Sequence, residues 1–317
     1  MCAAACISCF EVIPLEKLKS ALFLLLLAAF GAALAAAPAE ASDAARQGLA
    51  LCLQTVLPSL FPFFVLSSLV VASGAADGFG RTLAPVMRPL FRMSGAGAAA
   101  LALGLVGGYP VGARTTAELY RGGALSKSEA ERLLAFCNNA GPGFILGVCG
   151  TAVLHDTRAG LYLYLVHVAA AVLSGIMLCR LTPAENTPSC SPRRTQGQSL
   201  AAAFPTAVRD SFAAVWSVCG FVVIFAVVLR YVTLLLPPSP LLIGFIELTN
   251  GVLSLSADRS GFVLCAVFLA WGGLSVHAQT LSVLEDSGLS PQLYFLGKAM
   301  QAALSAPLAW MVANNLY

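Results

Sequence analysis

The chain has 317 residues, of which 58% are hydrophobic and only 10% charged, with a net charge of +3 and a mean hydropathy of +0.84. Soluble domains carry roughly 25% charged residues, so these values exclude an ordinary water-soluble fold and make lipid the natural solvent for the surface. No basic patch with interleaved aromatic residues points to nucleic acid as a partner.

Cys2, Cys6 and Cys9 read C-x3-C-x2-C, a spacing that also holds iron–sulfur clusters. A membrane helix follows at once, with no strand–helix alternation behind it, which argues against a cluster-bearing enzyme. Residues 20–37, after Lys17 and Lys19, form an apolar run that reads either as a signal peptide ending at Ala35–Ala37 or as a retained first helix. Pro38 directly after the cleavage position favours retention. Further apolar segments fall near 47–73, 94–113, 131–154, 159–180, 211–236, 240–257, 260–276 and 292–315. A membrane span must satisfy its own backbone hydrogen bonds, so all are predicted helices. Residues 79–93 are amphipathic, with Arg81, Arg88 and Arg92 and two prolines, and predict a helix lying in the interface. Residues 181–200 are polar and rich in proline and serine, a linker between two halves. Most of the ten cysteines sit in apolar runs, where a thiol behaves as a small hydrophobe, and no disulfide framework is expected.

Charge predicts orientation. With the N-terminus cytoplasmic and residues 94–113 forming a re-entrant arm that does not cross, 13 of the 18 basic residues lie on the cytoplasmic side. Both termini are then cytoplasmic.

The halves read as a duplication. GGYPVGARTTAELYRGGALS at 107–126 aligns with GGLSVHAQTLSVLEDSGLS at 272–290, at an offset of 165 that also carries Pro142 onto Pro307. The alignment makes 272–280 a second hairpin tip matching 107–115. Ser126 and Glu129 form a predicted capping box. Ser290 precedes Pro291 at a predicted first helical position. The fold class expected is all-α, a polytopic membrane protein with two inverted repeats, each holding a re-entrant helical hairpin and a broken helix. The divisions are an N-terminal helix over 1–44, a first repeat over 45–180, a linker over 181–204 and a second repeat over 205–317.

Polar groups inside apolar segments are the candidate site. Three glycines and a proline around Tyr109, Gly112, Arg114 and Thr115 break a helix at membrane depth, where exposed backbone is tolerated only under protein or in a wet cavity. Ser275, His277 and Gln279 stand at the matching tip. Asn138 and Asn139 interrupt 131–154 next to Pro142, and amides are expensive in hydrocarbon unless paired. Glu247, with Thr249 and Asn250, sits in an apolar segment, where an acid is a functional candidate by default. Lys298 and Gln301 are its expected partners. Each cluster also has a plain structural reading, as a tight turn, a satisfied kink or an acid facing interfacial water. No nucleophile elbow, zinc-protease motif or phosphate loop is present, so neither an enzyme nor a metal site nor a cofactor is expected.

GGYPVGARTTAELYRGGALSKSEAERLLAFCNNAGPGFILG, with the later ELTNG and GGLSVHAQ, resembles the sporulation integral membrane proteins of the YlbJ type over roughly 45–315. That family carries a nucleoside-recognition, or Gate, domain similar to the core of concentrative nucleoside transporters. The resemblance implies two hairpins and two broken helices around a substrate, with Gly107–Thr115 and Gly272–Gln279 at the tips and Glu247 and Asn250 as a binding acid and its neighbour. It also implies a role in building the spore envelope or cortex. The first tip departs from those transporters, carrying Tyr109-Pro110-Val111 in place of a Gln-Thr-Glu run, so nucleoside does not carry over as the solute. The expectation is a transporter-like protein of the bacterial cell membrane that binds or moves a small polar solute, with Na⁺ or H⁺ as candidate coupling ions. The alternative is a non-transporting scaffold for spore assembly.

Overall fold

The computed structural model describes residues 15–73, 75–182 and 199–317. The Cys2, Cys6 and Cys9 triplet and most of the predicted linker lie outside the described residues. Every regular element among those described is helical.

The chain opens with α1 (Leu15–Ala36) and α2 (Pro38–Leu51), which meet at 101°. Pro38 takes a first helical position, where its missing N–H costs nothing. Residues 38–45 therefore belong to a helix, with Glu40 and Asp43 on it. The Tyr231 hydroxyl donates to the Ala37 carbonyl (2.9 Å) and pins the bend to a later helix. A π-helical turn, Cys52–Val56, leads into α3 (Leu57–Ala72). The amphipathic stretch forms α4 (Ala75–Phe91), with Arg81 and Arg88 exposed and Met87 and Phe91 buried.

The next four elements place the site. α5 (Gly97–Gly107) folds back on α6 (Val111–Arg121) across Gly108-Tyr109-Pro110. The fold-back is tight because Gly104 and Gly112 face each other, and both abut the Cys137 carbonyl of α7 (Lys127–Cys137). The predicted capping box starts α7, with the Ser126 hydroxyl accepting from Glu129 N–H and the Glu129 carboxylate accepting from Ser126 N–H. After Asn138–Gly141 the chain resumes as a π-helical segment, Gly143–Val153, and α8 (Thr157–Leu181) follows. α8 exposes large apolar side chains on one face and buries a mostly apolar face that also holds polar groups. Leu161, Leu165, Leu173 and Met177 are exposed, whereas His167 and Ser174 are buried.

The second half begins with α9 (Leu200–Leu235), whose 36 residues span about 54 Å at 1.5 Å per residue. Then α10 (Pro240–Ile246) folds back on α11 (Leu248–Leu253) with Glu247 at the turn. Gly251 meets Gly244 backbone to backbone, and Gly244 carries the Phe268 ring. By contrast, α12 (Arg259–Trp271) and α13 (Gly273–Leu284) continue as one span, Arg259–Ser287, broken at Gly272. The last helix is α14 (Gln292–Ala313). It starts one residue later than read from sequence, with Pro291 as cap and Ser290 N–H bound by Glu131 (2.8 Å).

Two sequence expectations change here. The glycine pairs matched by the 165-residue offset are not equivalent: Gly107-Gly108 enters a fold-back, while Gly272-Gly273 breaks a span in line. The second fold-back is at Glu247. Gly-Gly permits either outcome, and packing of Gly244 against Gly251 selects the turn. Among the described residues, three helices are long and apolar enough to cross a membrane, or four if the α1–α2 bent pair counts as one span.

Glu40 and Arg230 bridge α2 to α9 at 2.6 Å, with both side chains well exposed. Exposed pairs contribute about 0–1 kcal/mol, so Arg230→Ala is expected to shift the melting temperature in detergent by no more than roughly 4 °C. A thermal unfolding curve checks this.

Candidate functional site

A cleft with about 100 Å³ of free volume lies where the interruptions of the helical backbone converge. Val106–Tyr109 of the first turn form one wall, and Ala140, Gly141 and Gly143 of the break after α7 form the next. Glu247, Leu248 and Thr249 of the second turn form the third, and Val276 and Gln279 of α13 the fourth. Thr55 and Phe63, with Val218 and Val222 of α9, complete an apolar side.

Glu247 is 2% exposed. Its Oε2 accepts from Asn250 N–H (2.7 Å) and from the Asn250 amide Nδ2 (2.8 Å), and its Oε1 accepts from the Ser275 hydroxyl (3.5 Å). The carboxylate thus caps α11, and all three donors are neutral. Asn250 also lines a larger cavity of about 770 Å³, with Glu40, Asp43, Gln47, Gln54 and Arg230. The Glu247–Asn250 pair therefore stands between a roomy polar vestibule and the small cleft.

Behind the cleft lies a buried polar network. Lys298 is fully buried and donates to the Asn138 carbonyl (3.0 Å), to Gln301 Oε1 (2.7 Å) and to the Tyr109 hydroxyl (3.5 Å). Gln301 Nε2 donates to Asn139 Oδ1 (3.0 Å) and to the His167 carbonyl (3.5 Å). Asn138 Nδ2 donates to Thr280 Oγ1 (2.9 Å), which also accepts from the Tyr294 hydroxyl (3.3 Å). The Tyr294 hydroxyl lies 2.8 Å from His277 Nδ1. The Tyr109 hydroxyl donates to the Leu269 carbonyl.

The residues singled out from sequence thus separate into groups. Tyr109, Glu247, Thr249 and Gln279 line the cleft, with Ser275 and Asn250 holding Glu247. Asn138, Asn139 and His277 belong to the network behind it. His277 packs against Trp271, Tyr294 and Phe295. Gly112 is a helix-packing contact. Arg114 turns away from the tip: Nε reaches Glu118 (2.9 Å), Nη2 reaches Ser68 (3.3 Å), and the guanidinium lies 5.7 Å from the Phe64 ring centre. Thr115 bonds back to the Val111 carbonyl of its own helix (2.9 Å). Lys298 and Gln301, expected beside Glu247, bond instead to the helix break, because α14 packs on α7 and α8. Thr280, at the end of the predicted second tip, joins the network, whereas His167 and Tyr294 were not foreseen. For His167 the signal was available, since an imidazole in an apolar segment is costly unless it has a role. Tyr294 and the apolar wall from α3 and α9 carried no such signal. The six described cysteines are free and buried. No group of three or more His, Cys, Asp or Glu side chains able to hold a metal occurs among the described residues.

Comparison with known proteins adds the relationship. Residues 53–180 match the family model described as Gate, nucleoside recognition. The chain is 27% identical over 323 aligned residues to the sporulation integral membrane protein YlbJ of Bacillus subtilis (strain 168), covering 88% of this chain and 79% of that protein. No solved structure matches. The chain is therefore similar to YlbJ over most of its length, and its residues 53–180 are similar to the Gate, nucleoside recognition family.

Proposed function

We propose that this protein acts in sporulation, as the name of its relative states, and that it binds and moves a small polar solute through the cleft at Glu247. The observation that carries this reading is the convergence of two tight turns, the helix break after α7 and one face of α13 on one cleft holding a buried carboxylate. Interrupted backbone at membrane depth exposes polar groups that a solute can satisfy. The order of elements also supports two related halves. A folded-back pair, an interrupted helix and a long helix occur first as α5–α6, the break after α7 and α8, and again as α10–α11, the break at Gly272 and α14. On this reading both folded-back pairs are re-entrant and the halves have opposite orientation.

The cleft is smaller than the roughly 300–1,000 Å³ of typical small-molecule sites. Loading therefore requires the α10–α11 turn to move, opening the cleft to the vestibule beyond Asn250. Among the described residues no basic side chain bonds to Glu247, so it favours a solute that carries a hydrogen-bond donor or a positive group. Na⁺ or H⁺ serves as coupling ion in this scheme.

The test is complementation of a sporulating strain that lacks the gene. Glu247→Gln and Asn139→Ala are expected to reach the membrane at parental levels and to give at least a ~10-fold loss of heat-resistant spores, the equivalent of roughly 1.4 kcal/mol at the site. Wild-type spore yields from both variants would remove the solute pathway and leave a scaffold role.

A further inference from the structure

The hydrogen-bond directions behind the cleft place the protons of Thr280, Tyr294 and His167. Thr280 Oγ1 donates to the Val276 carbonyl (2.8 Å), so it accepts from Tyr294 and Asn138. Tyr294 therefore spends its proton on Thr280 and accepts from His277 Nδ1–H. His277 Nε2 is left as a buried atom without a partner. At the other end His167 Nε2 accepts from Ala140 N–H (3.2 Å), which places that ring's proton on Nδ1, a buried donor without a partner. Asn138 Oδ1 is a third buried atom without a partner. His167 is thus neutral by its bonding. Between the two imidazoles stands Lys298.

The Lys298 ammonium has three protons and three acceptors, each from a different structural unit. They are the Asn138 carbonyl at the break, Gln301 on its own helix, and Tyr109 at the first turn. Tyr109 already donates to Leu269, so it can only accept from Lys298. The ammonium also lies 5.2 Å from the centre of the Tyr109 ring. The titratable groups facing it are Cys137 of α7, His167 of α8, His277 of α13, and the phenols Tyr109 and Tyr294. Arg259 and Cys265 are the titratable groups of α12, the other element packed on α14. Arg259 stacks on the Trp310 ring near the C-terminal end of α14, and Cys265 interacts with Cys149. None of these is a carboxylate. A fully buried cation with only neutral partners is a group whose charge is held weakly, and lysine, unlike arginine, can give up its proton in such a site.

We propose that Lys298 is a proton-binding site, and that its proton ties the first turn to the helix break. The neutral amine has two N–H groups and one lone pair. It keeps the two short bonds, to Gln301 and the Asn138 carbonyl, and gives up the longest, to Tyr109. Loss of the proton, taken up by water, thus removes one of the two hydrogen bonds at the Tyr109 hydroxyl and loosens the turn that forms one wall of the cleft, while the bond to the Leu269 carbonyl remains. Raising the pH loosens the turn and lowering it re-forms the tie. The three unpartnered atoms mark where buried water fits, since such waters bond to otherwise unsatisfied polar groups. This device requires no particular solute and does not depend on transport at Glu247.

The test uses full-length protein in detergent with Trp216 and Trp310 replaced by phenylalanine. Trp271 then remains as reporter, two residues beyond the Leu269 carbonyl that Tyr109 holds. Fluorescence is titrated with pH in this protein and in its Lys298→Met and Lys298→Arg variants. The expected result is a reversible step in the lysine protein that is absent from both variants, with any step from His277 common to all three. Should Lys298→Met fail to accumulate, the arginine variant decides, because it keeps a cation that does not titrate. An identical titration in lysine and arginine proteins would overturn the proposal and leave Lys298 as a fixed structural cation.

Discussion

Gly104→Val is expected to leave almost no folded protein in the membrane. A Cβ at position 104 would sit 1.8 Å from the Cys137 carbonyl oxygen and 2.9 Å from Gly112 Cα. Both obstacles are backbone, so no side-chain rotation relieves them. Overpacking a core costs about 1–3 kcal/mol even where side chains can shift, and here α5, α6 and α7 would have to separate at their point of closest approach. That separation would also open the turn that carries Tyr109. The measurement is size-exclusion chromatography of a fluorescent fusion in mild detergent, with a loss of at least ~10-fold in the monodisperse peak corresponding to roughly 1.4 kcal/mol or more. Gly147→Ala is the matched control, since a Cβ there meets nothing within 4 Å, and its peak is expected to equal the parent's.

Gln301→Leu is the second large effect. It removes the shortest bond to Lys298, at 2.7 Å, and the donor to Asn139 at 3.0 Å, while keeping side-chain bulk. Losing a buried hydrogen bond to a charged group costs about 1.5–3 kcal/mol. An orphaned amide oxygen adds roughly 1–3 kcal/mol more. At about 2–4 °C per kcal/mol, the melting temperature in detergent should fall by roughly 10 °C. Gln292→Leu, at an exposed position on the same helix, is expected to change it by less than about 2 °C, within the range of ordinary surface substitutions. Equal melting temperatures for the Gln301 and Gln292 variants would mean that the network contributes little to stability.

The parts of this architecture legible in the amino-acid order are those set by local chemistry. The apolar segments emerged as helices because a lipid-embedded backbone has no other way to satisfy its N–H and C=O groups. The start of α7 was legible because Ser126 and Glu129 satisfy each other's orphan donors within one turn. Arginines, prolines and apolar residues at helical spacing marked α4. Glu247 and Asn138-Asn139 stood out because polar groups in apolar segments are too costly to be incidental.

What the tertiary structure alone decided is direction and partnership. Gly107-Gly108 and Gly272-Gly273 look alike in sequence, yet one enters a turn and the other breaks a span in line. The difference lies in the contact of Gly104 with Gly112 and the absence of such a fold-back around Gly272, where α12 packs on α14 instead. Arg114 was placed by nearness to a loop, but its Glu118 neighbour one helical turn away and Ser68 on α3 draw it elsewhere. Lys298 was expected, with Gln301, as a partner of Glu247. It instead spans the helix break, because the packing of α14 against α7 and α8 brings Asn138 and Gln301 within reach. Local rules act over one turn of helix and mark which residues are costly to bury; which of them meet depends on contacts more than a hundred residues apart.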